Sequence, residues 1–211
     1  MKVVEVFHSI QGESTHAGLP CVFVRLSGCN LRCSYCDTQY AYDEGERMSL
    51  DEILVRVQRY DCPLVEITGG EPLLQEQTPQ LTSQLAHKGY TVLVETNGTV
   101  DISGLDKRAI RIMDIKCPGS GCSDKTLWSN VELLRKTDEV KMVLCDERDY
   151  LWARGIIEKF NLLERTTVLL SPVHGRLEPA QLAAWILRDR LNVRLQLQLH
   201  KYIWNPETRG V

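Results

Sequence analysis

Short apolar runs alternate with helical patterns along almost all of this 211-residue chain, and that alternation constrains its fold more than any other feature. Runs at 21–27, 63–68, 91–95, 109–115, 139–144, 166–170 and 193–199 have the length and β-branched content of buried strands, and a shorter one at 3–7 precedes them. Helical patterns fill most of the intervals. Ser49 is a good N-cap with Glu52 three residues on, and Leu50, Ile53, Leu54 and Val57 then recur on one face. Further helices are expected at 80–88, stopped by Gly89, and at 127–136, 149–160 and 178–189, the last beginning beside Pro179. Strands alternating with helices build parallel sheets through right-handed crossovers. Six or seven mostly parallel strands are too few to close an eightfold barrel. The expected fold is α/β, an incomplete, curved βα barrel, in a single domain over 1–211 with no repeat, linker or low-complexity tract.

Polar residues gather where the expected strands end. Cys29 follows the first barrel strand, Thr68 to Glu71 the second, Glu95 to Gly98 the third and Lys116 the fourth; Ser171, Pro172, Val173 and His174, then His200, follow the last two. In βα barrels the carboxyl ends of the strands form the site, so one face collects most of the chemistry. A formal net charge of -3 with both signs interspersed argues against nucleic acid or an anionic membrane as partner. There is no apolar leader and no run of about 18 apolar residues, so a soluble, cytoplasmic protein is expected. The eight cysteines should then stay reduced. Cys21 and Cys145 lie in or beside apolar runs and read as small buried hydrophobes. The parts played by Cys62, Cys117 and Cys122 are open.

Cys29, Cys33 and Cys36 are spaced C-x3-C-x2-C in one short loop. A structural zinc site wants four closed ligands, whereas a cubane cluster held by three thiolates keeps one iron open, and three cysteines from one loop favour the second. A zinc site completed by a distant Cys or by His16 is the rival. Arg25 interrupts an apolar strand, and a buried guanidinium demands a partner. A substrate carboxylate would serve, and so would an internal ion pair with Glu13 or Glu5.

The cysteine loop with Tyr35 before its last cysteine, and Gly69-Gly70-Glu71-Pro72 downstream, resemble the signatures of radical S-adenosylmethionine (SAM) enzymes. Ser9-Ile10-Gln11-Gly12-Glu13-Ser14 and Cys36-Asp37-Thr38 are similar to the ring-contracting branch of that family that serves queuosine and 7-deazapurine biosynthesis. The resemblance implies a partial barrel, a [4Fe-4S] cluster on Cys29, Cys33 and Cys36, and SAM on the open iron. It implies SAM contacts from Tyr35, Cys36, Asp37, Gly70 and Glu71, from Cys117, Pro118 and Gly119, and from Ser171, Pro172, Val173 and His174. It further implies a carboxylated tetrahydropterin substrate held by Ile10, Gln11, Gly12, Glu13, Arg25, Thr68 and His200, with Mg2+ on the Thr38 hydroxyl. The reaction it implies is a carbon–nitrogen lyase step that contracts the ring and releases ammonia, and it brings a homodimer and a flavodoxin or ferredoxin as electron donor. Two rivals stay open: an activase placing a glycyl radical on a partner protein, and a non-catalytic iron–sulfur or zinc module. Read without the resemblance, Asp37-Thr38 is a turn, Gly69-Gly70 a tight connection and His200 a core histidine. The loop between the cysteines and the helix at Ser49 is short for the family, and the tail 204–211 runs past the part of the chain that the resemblance covers.

Overall fold

A computed structural model describes residues 1–211. Its strands are β1 (Lys2–Ile10), β2 (Pro20–Leu26), β3 (Glu46–Arg47), β4 (Leu64–Gly69), β5 (Thr91–Thr96), β6 (Ile110–Asp114), β7 (Glu139–Leu144), β8 (Thr167–Pro172) and β9 (Arg194–Leu195). Its helices are α1 (Leu50–Gln58), α2 (Thr78–His87), α3 (Ser129–Glu132), α4 (Glu147–Lys159), α5 (Leu162–Arg165), α6 (Pro179–Arg188) and α7 (His200–Ile203). All strands join one sheet in the order β3-β1-β2-β4-β5-β6-β7-β8-β9. From β2 to β9 every pairing is parallel, which is the expected open barrel. It does not close on itself.

The alternation within each strand explains both faces of this sheet. Val22, Val24, Leu26, Val65, Ile67, Val92, Val94, Met113, Val140, Met142, Val168 and Leu170 are buried in the apolar core. A parallel sheet is normally apolar on both faces. Here the alternate positions Arg25, Glu66, Thr68, Glu95, Asp114 and Lys141 turn instead to a cavity on the other face. In register, Arg25 lies opposite Thr68, and Asp114 opposite Lys141. Side-chain polarity therefore crosses the concave face strand by strand.

Several boundaries depart from expectation. β1 is a nine-residue antiparallel strand rather than the short run 3–7, and β3 pairs with its outer edge. The helix expected over 127–136 is confined to α3, because Asp138 captures the Arg135 backbone N–H at 2.8 Å and its side chain, turning the chain early. The last strand, expected over 193–199, has two residues. Beyond it the Leu199 N–H donates to the Gly12 carbonyl at 3.0 Å, so the chain bends across the cavity and His200 opens α7 instead of ending a strand. The capping box at Ser49 is present as read, with the Ser49 hydroxyl accepting from Glu52 N–H and the Glu52 carboxylate accepting from Ser49 N–H.

Candidate functional site

The loop after β2 is held from two sides. Gly28 adopts φ +97, its N–H donates to Ala41 O at 2.8 Å, and its carbonyl accepts from Glu71 N–H at 2.7 Å. A Cβ on Gly70 would lie 2.1 Å from the Gly28 oxygen and 2.8 Å from Cys29 Cβ, so only glycine lets the end of β4 approach the thiol loop. On the other side the Ser34 N–H donates to Ser120 O at 2.9 Å and its hydroxyl to Gly119 O at 2.7 Å.

Cys29, Cys33 and Cys36 are free thiols on the wall of a cavity of about 780 Å³, a size suited to a small-molecule site. Burial raises the Cys29 thiol and pushes Cys33 up to about 12, although Lys116 opposes it at Cys33. The Cys29 sulfur accepts the Leu31 N–H at 3.4 Å and has Asn97 Nδ2 at 3.9 Å, donors of the kind that surround cluster thiolates. Nowhere do three His, Cys, Asp or Glu side chains close on one point as a single ion requires. Three separated thiols facing a volume, with a glycine edge pressed against them, fit a cubane cluster and not a four-ligand zinc site.

Glu71 turns away from the cavity. Its carboxylate accepts from Leu73 N–H at 2.9 Å, Asn97 N–H at 2.6 Å and the Thr96 hydroxyl at 2.9 Å, which fastens β4 to β5 beneath the thiols. Burial lifts it to about 7 against those hydrogen bonds.

The opposite wall carries charge. Arg25 Nε donates to Glu5 at 2.7 Å, with its guanidinium 5.5 Å from the Phe7 ring and 5.9 Å from the Tyr40 ring. Glu5 takes only that edge, and neither terminal amino group of Arg25 has a protein acceptor. Deeper in, Lys141 Nζ donates to Glu13 at 2.8 Å and to Glu95, and lies 3.7 Å from Asp114. Burial works against the Glu13 carboxylate, but Lys141 outweighs it and keeps the carboxyl below its ordinary value. Burial, reinforced by Glu95, raises Glu66 well above the carboxylate range. Thr68 donates to Glu95 at 3.0 Å. His200, whose burial lowers its pKa, packs on Gly12 so closely that a Cβ there would meet its Nδ1 at 2.5 Å.

Most of the residues singled out in the sequence share this wall. Ile10, Gln11, Gly12, Glu13, Arg25, Thr68 and His200 line the same cavity as the thiols, Tyr35, Asp37, Thr38, Gly70, Val173 and His174. Cys117, Pro118 and Gly119 instead stand behind the thiol loop, and Ser171 and Pro172 are buried in β8 outside the wall. The Thr38 hydroxyl donates to Asp37 at 2.9 Å, and Lys201 holds the other Asp37 oxygen at 2.6 Å. Glu66, Asp114 and Lys141 escaped the sequence reading. Their signal was a charge inside an apolar strand, the same one that exposed Arg25.

Residues 23–117 match the Radical SAM superfamily. With the thiol loop, glycine edge and open parallel barrel already described, the chain belongs to the radical SAM enzymes. Over its full length it is 49% identical to a 7-carboxy-7-deazaguanine synthase of Chlorobaculum tepidum, covering 97% of that protein, and 42% identical to one of Koribacter versatilis, covering all of it. The crystal structure of QueE from Escherichia coli superposes with a TM-score of 0.76 at 22% identity, covering 93% of each chain, and so shares the fold. The chain belongs to the 7-carboxy-7-deazaguanine synthase family of radical SAM lyases.

Proposed function

We propose that this protein converts 6-carboxy-5,6,7,8-tetrahydropterin to 7-carboxy-7-deazaguanine with release of ammonia, in queuosine and 7-deazapurine biosynthesis. The observation that carries the reading is the pairing, in one cavity, of three free thiols on one wall with an arginine whose fork is unoccupied on the other. A glycyl-radical activase needs no such carboxylate receptor inside its barrel. Cys29, Cys33 and Cys36 would hold the [4Fe-4S] cluster, and the Gly69-Gly70 edge, Tyr35 and Val173-His174, which line the same cavity, would contact SAM. Bound together, cluster and SAM supply a one-electron route to hydrogen-atom abstraction, chemistry no side chain can perform.

The chain's own residues orient and shield the substrate. Arg25 presents its terminal amino groups to the substrate carboxylate in the bidentate geometry guanidinium favours, while Glu5 fixes the Nε edge. Thr38 offers a hydroxyl beside the Lys201-paired Asp37 carboxylate, an oxygen donor that suits a hard cation keeping several waters, so Thr38 would hold a Mg2+ that would help to neutralise the substrate carboxylate. Glu13 and Thr68 meet the heterocycle, and His200 backs Gly12. Residues 206–211 also line the cavity, and Arg209 stacks on Tyr40 at 3.8 Å and pairs with Glu44 at 3.1 Å, which helps exclude water.

One sheet and one apolar core support a single domain over 1–211. Eight unpaired thiols suit a reducing cytoplasm, and no helix is long and apolar enough to cross a membrane. The family resemblance adds a homodimer and a flavodoxin or ferredoxin donor. The test is anaerobic: load and reduce the cluster, add SAM, Mg2+ and the carboxytetrahydropterin, and follow deazaguanine product and 5'-deoxyadenosine by mass spectrometry, with Arg25→Ala as control. Product without stoichiometric loss of SAM is expected. 5'-Deoxyadenosine without product would overturn the substrate and leave the superfamily standing.

A further inference from the structure

Strand β7 turns two buried polar side chains, Glu139 and Lys141, toward one segment of chain, the loop 11–19 that joins β1 to β2. Lys141 Nζ donates to Glu13 at 2.8 Å. Glu139 accepts from the Thr15 N–H at 3.0 Å and from its hydroxyl at 2.5 Å. A spacing of two on the strand meets a spacing of two on the loop. The loop therefore lies along the inside of β7, four strands away in the sheet from β2. A third attachment comes from Gln11, whose Nε2 donates to Glu66 at 2.5 Å and whose Oε1 accepts the Glu13 N–H at 3.0 Å. Two antiparallel neighbours can be joined by about two to five residues, so a loop that crosses the barrel and is fastened at three points is held there for another purpose.

Lys141 also decides what the loop presents. Its ammonium bonds Glu13 and Glu95 together, two carboxylates that would otherwise repel. Glu13 keeps a second oxygen that takes only Gln198 Nε2 at 2.9 Å, and Glu95 one that takes only the Thr68 hydroxyl at 3.0 Å. Asp114 Oδ1, on the same floor, is buried with no partner at all. Each carboxylate oxygen has lone pairs to spare. The floor is thus short of donors, and a planar heterocycle with an N–H edge would supply them.

We propose that Lys141 is a positioning residue for the substrate: it fixes Glu13 and Glu95 side by side as acceptors for the amino-pyrimidine edge of the pterin and, with Glu139, seats the loop 11–19 across the barrel. The inference rests on the substrate reading above. It adds that the polar end of the site is assembled by a residue that need not touch the ligand.

The experiment compares Lys141→Met, Lys141→Gln and Lys141→Arg with the wild type, each cluster-loaded and matched for iron content. It reads KM for the carboxytetrahydropterin and the ratio of deazaguanine to 5'-deoxyadenosine formed under single-turnover conditions. Lys141→Met should raise KM about tenfold or more, the effect of leaving buried acceptors without their cation, and should lower the ratio, because SAM is cleaved over a misplaced substrate. Lys141→Arg should recover most of both. Lys141→Gln, which keeps one donor, should fall between them and carries the test if Lys141→Met does not load its cluster. An unchanged KM and an unchanged ratio in whichever variant loads would overturn the inference, as would an Arg variant no better than Met. A wild type that makes no deazaguanine would instead overturn the substrate reading, so the two failures are distinct.

Discussion

Two buried ion networks lie in this molecule, built from the same kinds of group and arranged to opposite ends. Asp138 is fully buried and receives the backbone N–H, Nε and Nη2 of both Arg111 and Arg135, while Arg111 Nη2 and Arg135 Nη2 continue to the carbonyls of Leu133 and Ala109. Every acceptor there is saturated. Around Lys141 the count runs the other way, with Glu13 and Glu95 sharing its ammonium, Asp114 paired through Oδ2 with Lys116 at 2.7 Å, and Asp114 Oδ1 left bare beside a cavity. A saturated network has nothing left to offer a ligand and fixes the fold; a network short of donors on a cavity wall is completed by what binds. Burial alone does not tell them apart. The donor balance does.

The comparison can be broken most forcefully at Asp138. Replacing it with alanine leaves Arg111 buried without its counter-charge and should cost about 3 kcal/mol in urea unfolding, with turnover per cluster unchanged in the folded fraction. The Asp138 carboxyl is held below its ordinary value because the hydrogen bonds of Arg135 and Arg111 overcome its burial. Its contribution is therefore complete above the unfolded value of about 3.9 and is lost as pH falls through the lower folded value. Unfolding followed from pH 6 down to 2 should show that loss in the wild type and a flatter curve in Asp138→Asn.

Gly70→Ala comes next. The added methyl would drive into the Gly28 carbonyl and Cys29, so iron and sulfide bound per chain should drop several-fold, at a cost of about 1–3 kcal/mol in stability. Glu95→Gln removes one partner of Lys141, and should raise KM for the pterin about tenfold while moving the unfolding midpoint by under about 1 kcal/mol. The smallest effect is expected at Glu66→Gln. Burial, reinforced by Glu95, raises that carboxyl well above its ordinary value, so the amide is a close stand-in for its favoured uncharged form, and stability should shift by less than about 0.5 kcal/mol. A large effect at Glu66 together with none at Glu95 would reverse the assignment of charge on this wall.

Much of this was legible in the sequence because it is local. Alternating runs gave the parallel barrel, Ser49 and Glu52 gave the start of α1, and three cysteines in one loop gave the metal chemistry. Arg25 inside an apolar strand signals a partner, and of the two internal ones the sequence offers, Glu5 takes its Nε edge while Glu13 pairs with Lys141 instead, which leaves the arginine fork open. What stayed hidden depends on which face a strand residue meets. Arg111 and Lys141 look alike in sequence, each a cation inside an apolar strand, yet one reaches Asp138 and the other the cavity. Only the register of β6 and β7 separates them. The crossing of the loop 11–19, and the bend that carries His200 out of a strand, likewise depend on long-range bonds such as Leu199 to Gly12 that no local pattern encodes.

An open barrel also has two free borders, and here the outermost strand at each is only two residues long, Glu46–Arg47 against Lys2 and Val3 of β1 at one and Arg194–Leu195 against Leu169 and Leu170 of β8 at the other. Long, flat, apolar borders invite a second molecule to add its own strand and begin a fibre. Strands this short offer little ladder to extend, and beyond β3 the outer edge of β1 is obstructed by Tyr60, whose hydroxyl donates to the Val6 carbonyl at 3.2 Å. The enzyme can therefore leave its sheet unclosed around a bulky pair of ligands without becoming a template for aggregation.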